Sequence, residues 1–264
     1  MNESNLEYLK SRLLNLGFGD QLNADLEKNI TAQLEKFTVP TQMEFMLREK
    51  KDIVEFNVDF SKSKESDMYF LNKFEATLKG EEPSKDRSHT FYIDKGNGYT
   101  AKESFNLLEG RAVHKNLNDK EGNPYQAWVQ FDLSNKDDKG NYPVNKYHTN
   151  YGFDLEKVLE KHPIKELTDP VHKERLVKSL ERGNVQSVTF QKESQETKMF
   201  VEANPKMKNL VVYNDQMVKQ FQGERKEKGV KQTDGEATTK QNDQKNLKEE
   251  PPAEEKKKRK GMSV

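Results

Sequence analysis

The 264-residue chain contains no cysteine. That absence excludes disulfides, thiolate metal sites and cysteine nucleophiles together. It has no formal net charge either, with 45 Lys and Arg against 45 Asp and Glu. A protein that holds nucleic acid by bulk electrostatics carries a positive excess, so the overall charge argues against that role while leaving room for a local basic patch. No apolar run approaches the roughly 20 residues that span a bilayer. The opening Met1-Asn2-Glu3-Ser4-Asn5 lacks the basic start and apolar core of a secretion signal. These absences predict a cytoplasmic chain with no membrane partner. Hydrophobic residues reach only 32%, against 34% charged, which predicts that part of the chain does not fold.

Chemistry-bearing motifs are also lacking. The histidines His89, His114, His148, His162 and His172 include no close pair at helical ligand spacing. His114 and His148 would meet only if their strands pair. Asn135-Lys136-Asp137-Asp138-Lys139-Gly140 has the outline of a calcium loop, but lysines stand where oxygen ligands are needed and Lys146 occupies the closing position. Gly96-Asn97-Gly98 lacks the longer glycine pattern and the lysine of a phosphate cradle. No nucleophile elbow occurs. A triad assembled from distant residues leaves no sequence trace. No catalytic, metal-binding or cofactor-binding residue is assigned, and no cofactor is expected.

Periodicity predicts an α+β fold of small antiparallel sheets with short packing helices, followed by a disordered C-terminal tail. Leu6, Leu9, Leu13 and Leu16 form one helical stripe, which Gly17 ends. Leu22, Leu26, Ile30, Leu34 and Phe37 form a second, with Asn23 as cap and Pro40 as stop. Met43, Phe45 and Leu47, then Val54, Phe56, Val58 and Phe60, alternate as a hairpin turning at 49–52. Met68, Phe70, Phe74, Ala76 and Leu78 continue as a third strand. The polar, proline-bearing stretch 80–86 reads as a linker, giving parts at 1–82 and 88–221 that either stand apart or share a core.

The second part opens with a strand at 90–93 and a capping box, Thr100 to Glu103. Its helix carries Phe105, Leu107 and Leu108 and stops at Gly110. Strands are expected at 111–117, 125–133 and 143–149. Two further helices follow, capped by Asp154 and by Asp169-Pro170. Strands at 185–192, 198–203 and 209–213 close the part. From 222 to 264 there is no aromatic residue and little that is apolar, so burial cannot offset the ordering entropy.

Four strings carry a resemblance. They are Tyr99-Thr100-Ala101-Lys102-Glu103-Ser104-Phe105-Asn106-Leu107-Leu108-Glu109-Gly110-Arg111-Ala112-Val113-His114-Lys115, Tyr125-Gln126-Ala127-Trp128-Val129-Gln130-Phe131-Asp132, Asn150-Tyr151-Gly152-Phe153-Asp154-Leu155, and Gly183-Asn184-Val185-Gln186-Ser187-Val188-Thr189-Phe190 with Met199-Phe200-Val201-Glu202-Ala203-Asn204-Pro205. Together they resemble an uncharacterised domain family of Bacteroidetes whose members commonly sit in conjugative transposons and related mobile elements. Asp67-Met68-Tyr69-Phe70-Leu71-Asn72-Lys73 extends the likeness into the first part. The resemblance implies a mobile-element protein working near DNA processing or transfer. It implies no chemistry.

Two features stand out as contact candidates. Trp128, the only tryptophan, alternates onto the face that carries Gln126 and Gln130. There it either stacks a base or anchors a partner, or lies buried under a covering helix. Lys256, Lys257, Lys258, Arg259 and Lys260 form the one dense basic cluster, directly after Glu254 and Glu255. That cluster is either a solvated tail or a phosphate contact without sequence selectivity. The leading expectation is a non-catalytic binding or accessory protein of a mobile element, partnered by another protein of that element. The first rival is a direct nucleic-acid binder using the Trp128 face and the basic tail. The second is a carboxylate-based hydrolase or nuclease, which requires Asp and Glu side chains to converge in a cleft.

Overall fold

Strict alternation over residues 36–62 makes the first hairpin. In the computed structural model, which describes residues 2–47, 49–93, 98–192 and 195–220, β1 (Lys36–Leu47) pairs antiparallel with β2 (Lys50–Lys62), placing Val39 opposite Val58 and Phe45 opposite Asp52. β3 (Tyr69–Leu78) and β4 (Arg87–Tyr92) complete a four-stranded sheet in the order β1-β2-β3-β4. Its inner face carries Val54, Phe56, Val58, Phe74, Ala76 and Phe91, all buried. Helices α1 (Glu3–Asn15), α2 (Asn23–Thr31) and α3 (Ala101–Leu108) lie on that face. Phe18 fills the centre, its ring edge-on to Phe56 at 5.2 Å and to Phe74 at 5.3 Å.

A three-stranded sheet follows: β5 (Val113–Asn118), β6 (Pro124–Phe131) and β7 (Val144–His148), with β6 in the middle. It is the layer between two cores. Val113, Val129 and Phe131 join the first core with α3 and the first sheet. Trp128, on the opposite face of β6, joins the second. That second core is built with α4 (Leu155–Leu159), α5 (Pro170–Glu181) and the sheet of β8 (Gln186–Lys192), β9 (Gln195–Asn204), β10 (Asn209–Tyr213) and β11 (Lys219–Gln220), ordered β11-β10-β9-β8. The arrangement is the expected α+β class, and the described residues belong to one compact unit. No helix among the described residues is long and apolar enough to cross a membrane.

Five local expectations need correction. The second helix ends at Thr31 rather than running to Phe37. Leu34 is exposed, Phe37 belongs to β1, and Pro40 sits inside that strand. Proline is tolerated there because β1 is an edge strand and residues facing away from β2 donate no ladder bond. The cap of that helix is Leu22, not Asn23. In β3 the inward set is Tyr69, Leu71, Phe74, Ala76 and Leu78, while Met68 and Phe70 are exposed. The cause is a bulge opposite Asp59 and Phe60, where one extra residue reverses the alternation. The stretch 80–86 is no linker between parts. It holds a 3-10 turn (Pro83–Lys85) connecting β3 to β4 within one sheet, so the boundary between 82 and 88 falls inside the first core. The strands of the second part do not stay together but divide among all three sheets, β4 joining the first. The tail, 222–264, lies outside the described residues.

His89 fastens the first sheet to the segment before β7. Its ring lies 4.1 Å from Phe131 and 4.9 Å from Phe91, and its Nδ1 accepts from the Tyr142 N–H at 3.1 Å. Burial pushes its pKa from 6.5 down to about 4, with Asp137 opposing and Lys136 adding to the shift. The unfolded chain therefore takes up a proton near pH 6.5, which the folded chain refuses until about pH 4. Stability tied to neutral His89 is complete above that window and falls as pH drops through it. At about 1.4 kcal/mol per pH unit, discounted for partial exposure, the loss is ~2 kcal/mol. Urea unfolding at pH 7, 5.5 and 4 checks this, and His89→Gln is expected to flatten the difference by that amount.

Candidate functional site

The capping box predicted at Thr100 is present. Glu103 N donates to Thr100 Oγ1, and Thr100 N donates to Glu103 Oε2 at 2.8 Å, which starts α3 in a fixed register. Gly110, with φ +84°, ends the helix. This fixes Asn106 inside an otherwise apolar turn and swings Arg111 back beneath it. Arg111 is only 8% exposed. It donates from Nε to the Gly183 carbonyl at 3.1 Å and from Nη2 to Asn106 Oδ1 at 2.8 Å. Asn106 in turn donates to the Arg182 carbonyl at 2.7 Å and to Asn184 Oδ1 at 3.0 Å. Gly183 has φ +79°, and a Cβ there would stand 2.8 Å from the Ala112 carbonyl oxygen, so no other residue fits without displacement. Two of the strings that carried the family resemblance thus meet in one hydrogen-bonded joint between the cores.

Charges gather around this joint. Glu109 lies 3.6 Å from both Arg111 and Arg87 and 3.9 Å from Lys50, which also holds Asp52 at 2.9 Å. Arg87 donates to the Leu108 carbonyl at 3.0 Å, covering one of the orphan acceptors of the α3 C-terminus. Burial raises the carboxyl pKa of Glu202, with Arg111 and the Tyr213 hydroxyl, 3.0 Å away, pulling it back. Burial likewise raises Tyr213. Lys102 lies 4.6 Å above the Phe105 ring, and burial pushes its pKa down to about 8, Arg111 adding to the shift and Asp52 opposing it. Beside the joint an open cleft of roughly 480 Å³ is lined by Lys50, Lys79, Lys85, Arg87, Asp52 and Glu109, among others. Carboxylates do converge here, but Asp52 and Glu109 each face a cation and Glu202 a hydroxyl. Among the described residues no three His, Asp or Glu side chains are placed to hold a metal ion.

Trp128 is only 6% exposed. Its neighbours are His114, ring centroids 5.2 Å apart, and Phe153, edge-on at 5.3 Å. Of the two readings of Trp128, the buried one holds and the stacking or anchoring one is dropped, because the second core covers the ring. Gln126 is exposed and donates to Asn116 Oδ1, whereas Gln130 turns to the Gly110 carbonyl at 2.8 Å. The three do not form an open platform. His114 and His148 both border β6, opposite Trp128 and Ala127 respectively, so they project from opposite faces and do not meet. Asp137 spends one carboxylate oxygen on the N–H groups of Lys139 and Asn141, closing its loop as a turn. Lys256, Lys257, Lys258, Arg259 and Lys260 lie outside the described residues.

A surface the sequence did not single out is the outer face of the first sheet. The helices pack on the inner face, leaving Thr38, Gln42, Glu44, Glu55, Asn57 and Glu75 exposed. Cross-strand pairs set its order. At one end Thr38, Asp59, Lys73 and Tyr92 form a continuous row across all four strands, with Thr38 donating to Asp59 at 2.6 Å and Lys73 at 3.5 Å from the same carboxylate. Tyr92 and Phe70 stand exposed at that end. Strands with alternating polar positions carried the signal for this face, but nothing in the alternation says whether a second layer covers it. Compared with known proteins, the chain matches no family model, no curated protein and no solved structure.

Proposed function

We propose that this protein is a non-catalytic binding or accessory protein of a bacterial mobile genetic element, acting in the cytoplasm and engaging another protein of that element through the outer face of its first sheet. The observation that carries this reading is the four-stranded face that the described residues leave uncovered, with its exposed aromatic end. A twisted antiparallel sheet backed by two layers of core is a rigid surface, and rigid surfaces lose little entropy on binding. The ion-paired state of the charged joint supports a structural role for those side chains. The mobile-element context rests on the resemblance of the four strings. The nucleic-acid reading has lost its tryptophan platform and rests on the basic run at 256–260 alone, with no overall positive charge behind it.

The test places a photo-crosslinking amino acid at Asn57 or Glu75, in the middle of the face, and at Lys161 as a remote control, in cells that carry the native element. Covalent products with one protein from the first two positions and none from the third are expected. No product from the face, or products that disappear on nuclease treatment, would sink the reading.

A further inference from the structure

Lys102 has a setting unlike that of the lysines around it. Lys115 is held by Glu103 at 3.1 Å and Lys50 by Asp52 at 2.9 Å. Lys102 has no carboxylate at such a distance among the described residues; Asp52 acts on it only through space. Its amine instead lies 4.6 Å from the centre of the Phe105 ring and 4.9 Å from that of Phe45, and the two rings stack on each other. Its place is the second residue of α3, where the positive end of the helix dipole disfavours a cation. Arg111 adds a like charge from the joint. The side chain also lines an open cleft of roughly 230 Å³ with Met46, Leu47, Phe105, Asn106, Arg111 and Gln186, among others. Apart from Lys102 and Arg111, that lining carries no charged side chain. An apolar wall and a neighbouring cation are the two conditions that turn a lysine amine into a nucleophile.

We propose that Lys102 is a covalent modification site, whose Nζ takes an acyl group from an acyl phosphate that enters this cleft. The neutral amine attacks the acyl carbon, a C–N bond forms, the bond from that carbon to the phosphate oxygen breaks, phosphate leaves, and the amine proton passes to water. Burial and Arg111 push the pKa of Lys102 down to about 8, against the pull of Asp52. At pH 7.5 about a quarter of such amines are free, compared with about one in a thousand for an ordinary lysine. The same environment selects the product. A setting that disfavours a cation favours an amide, which is neutral, over an imine, which takes up a proton and restores the repulsion from Arg111. The apolar Met46, Leu47 and Phe105 suit a short acyl chain, with the Asn106 and Gln186 amides beside them. This inference is independent of the partner and of the outer sheet face.

The full chain is exposed briefly to acetyl phosphate between pH 6.5 and 10, and the acetylation of each lysine is followed by peptide mass spectrometry. At pH 7.5 Lys102 should react at least tenfold faster than the exposed Lys120 and Lys139. Its rate should level off with a midpoint near pH 8, while theirs climb through pH 10. The advantage should vanish in urea, because the fold creates it. Equal rates, a midpoint above about pH 9.5, an advantage that survives in urea, or labelling by pyruvate with borohydride in place of acetyl phosphate would each overturn the proposal. Lys102→Met supplies a second reading. It keeps the length of the side chain without the charge, so it should melt no lower than the native protein at pH 6.5. A clear fall in its melting temperature would mean that the site favours the cation, which also overturns the proposal.

Discussion

Replacing Arg111 by alanine is expected to lower the unfolding free energy by about 3–5 kcal/mol, the usual cost of removing one member of a buried charged network. The guanidinium is the hub of the joint. Its loss leaves the Gly183 carbonyl and Asn106 Oδ1 without their donor, and it removes the cation that draws Glu202 back toward ionisation. Each orphaned buried acceptor costs about 1–3 kcal/mol, and these costs overlap because the groups share one partner. Arg111→Lys is not a conservative replacement, since one ammonium cannot span two acceptors that the planar fork reaches together. Asn106→Ala should be strongly destabilising too, but the double variant should cost clearly less than the sum of the two. Urea unfolding of the four proteins in a double-mutant cycle measures that shortfall. Full additivity would mean the two side chains do not act as one joint.

The joint also shows why the sequence revealed the architecture better than the site. Local rules operate over a few residues, and several of them held: the capping box at Thr100, the aspartate caps at 154 and 169, and the alternation in β2 and β6 all appear where the pattern places them. Asn106 and Arg111 lie in a string that carries these signals, yet their partners Arg182, Gly183 and Asn184 are some 70 positions further along. Only tertiary packing links them. An asparagine between Phe105 and Leu107, in a helix turn otherwise made for burial, was the one local sign that a distant polar partner must exist. Phe70 illustrates a different limit. Alternation is a parity count, and a single bulge reverses it, so the side chain assigned to the core became the wall of a surface groove. Trp128 was ambiguous for a third reason. A sheet face of Gln, Trp and Gln looks half-solvated until a second core is known to cover it.

Whether the two cores behave as one cooperative body can be decided from Phe74 and Trp128 together. Phe74 is completely buried in the first core, touching the rings of Phe18, Phe56 and Phe91. Phe74→Ala removes those contacts and leaves a cavity in a region held on every side, with an expected cost of about 3–5 kcal/mol. Trp128 belongs to the second core and, as the only tryptophan, reports on that core alone by its fluorescence. The two are coupled through β6, whose successive residues Trp128 and Val129 face opposite cores. A strand cannot lose its packing on one side and keep its register on the other. The second core also keeps its grip on the first through Arg111, whose bonds to Asn106 and Gly183 cross the interface. In the Phe74→Ala protein, the urea midpoint followed by tryptophan fluorescence should therefore move as far as the midpoint followed by far-ultraviolet circular dichroism. A fluorescence transition that stays at its native midpoint while the dichroism splits into two steps would show that the middle sheet does not transmit stability between its faces.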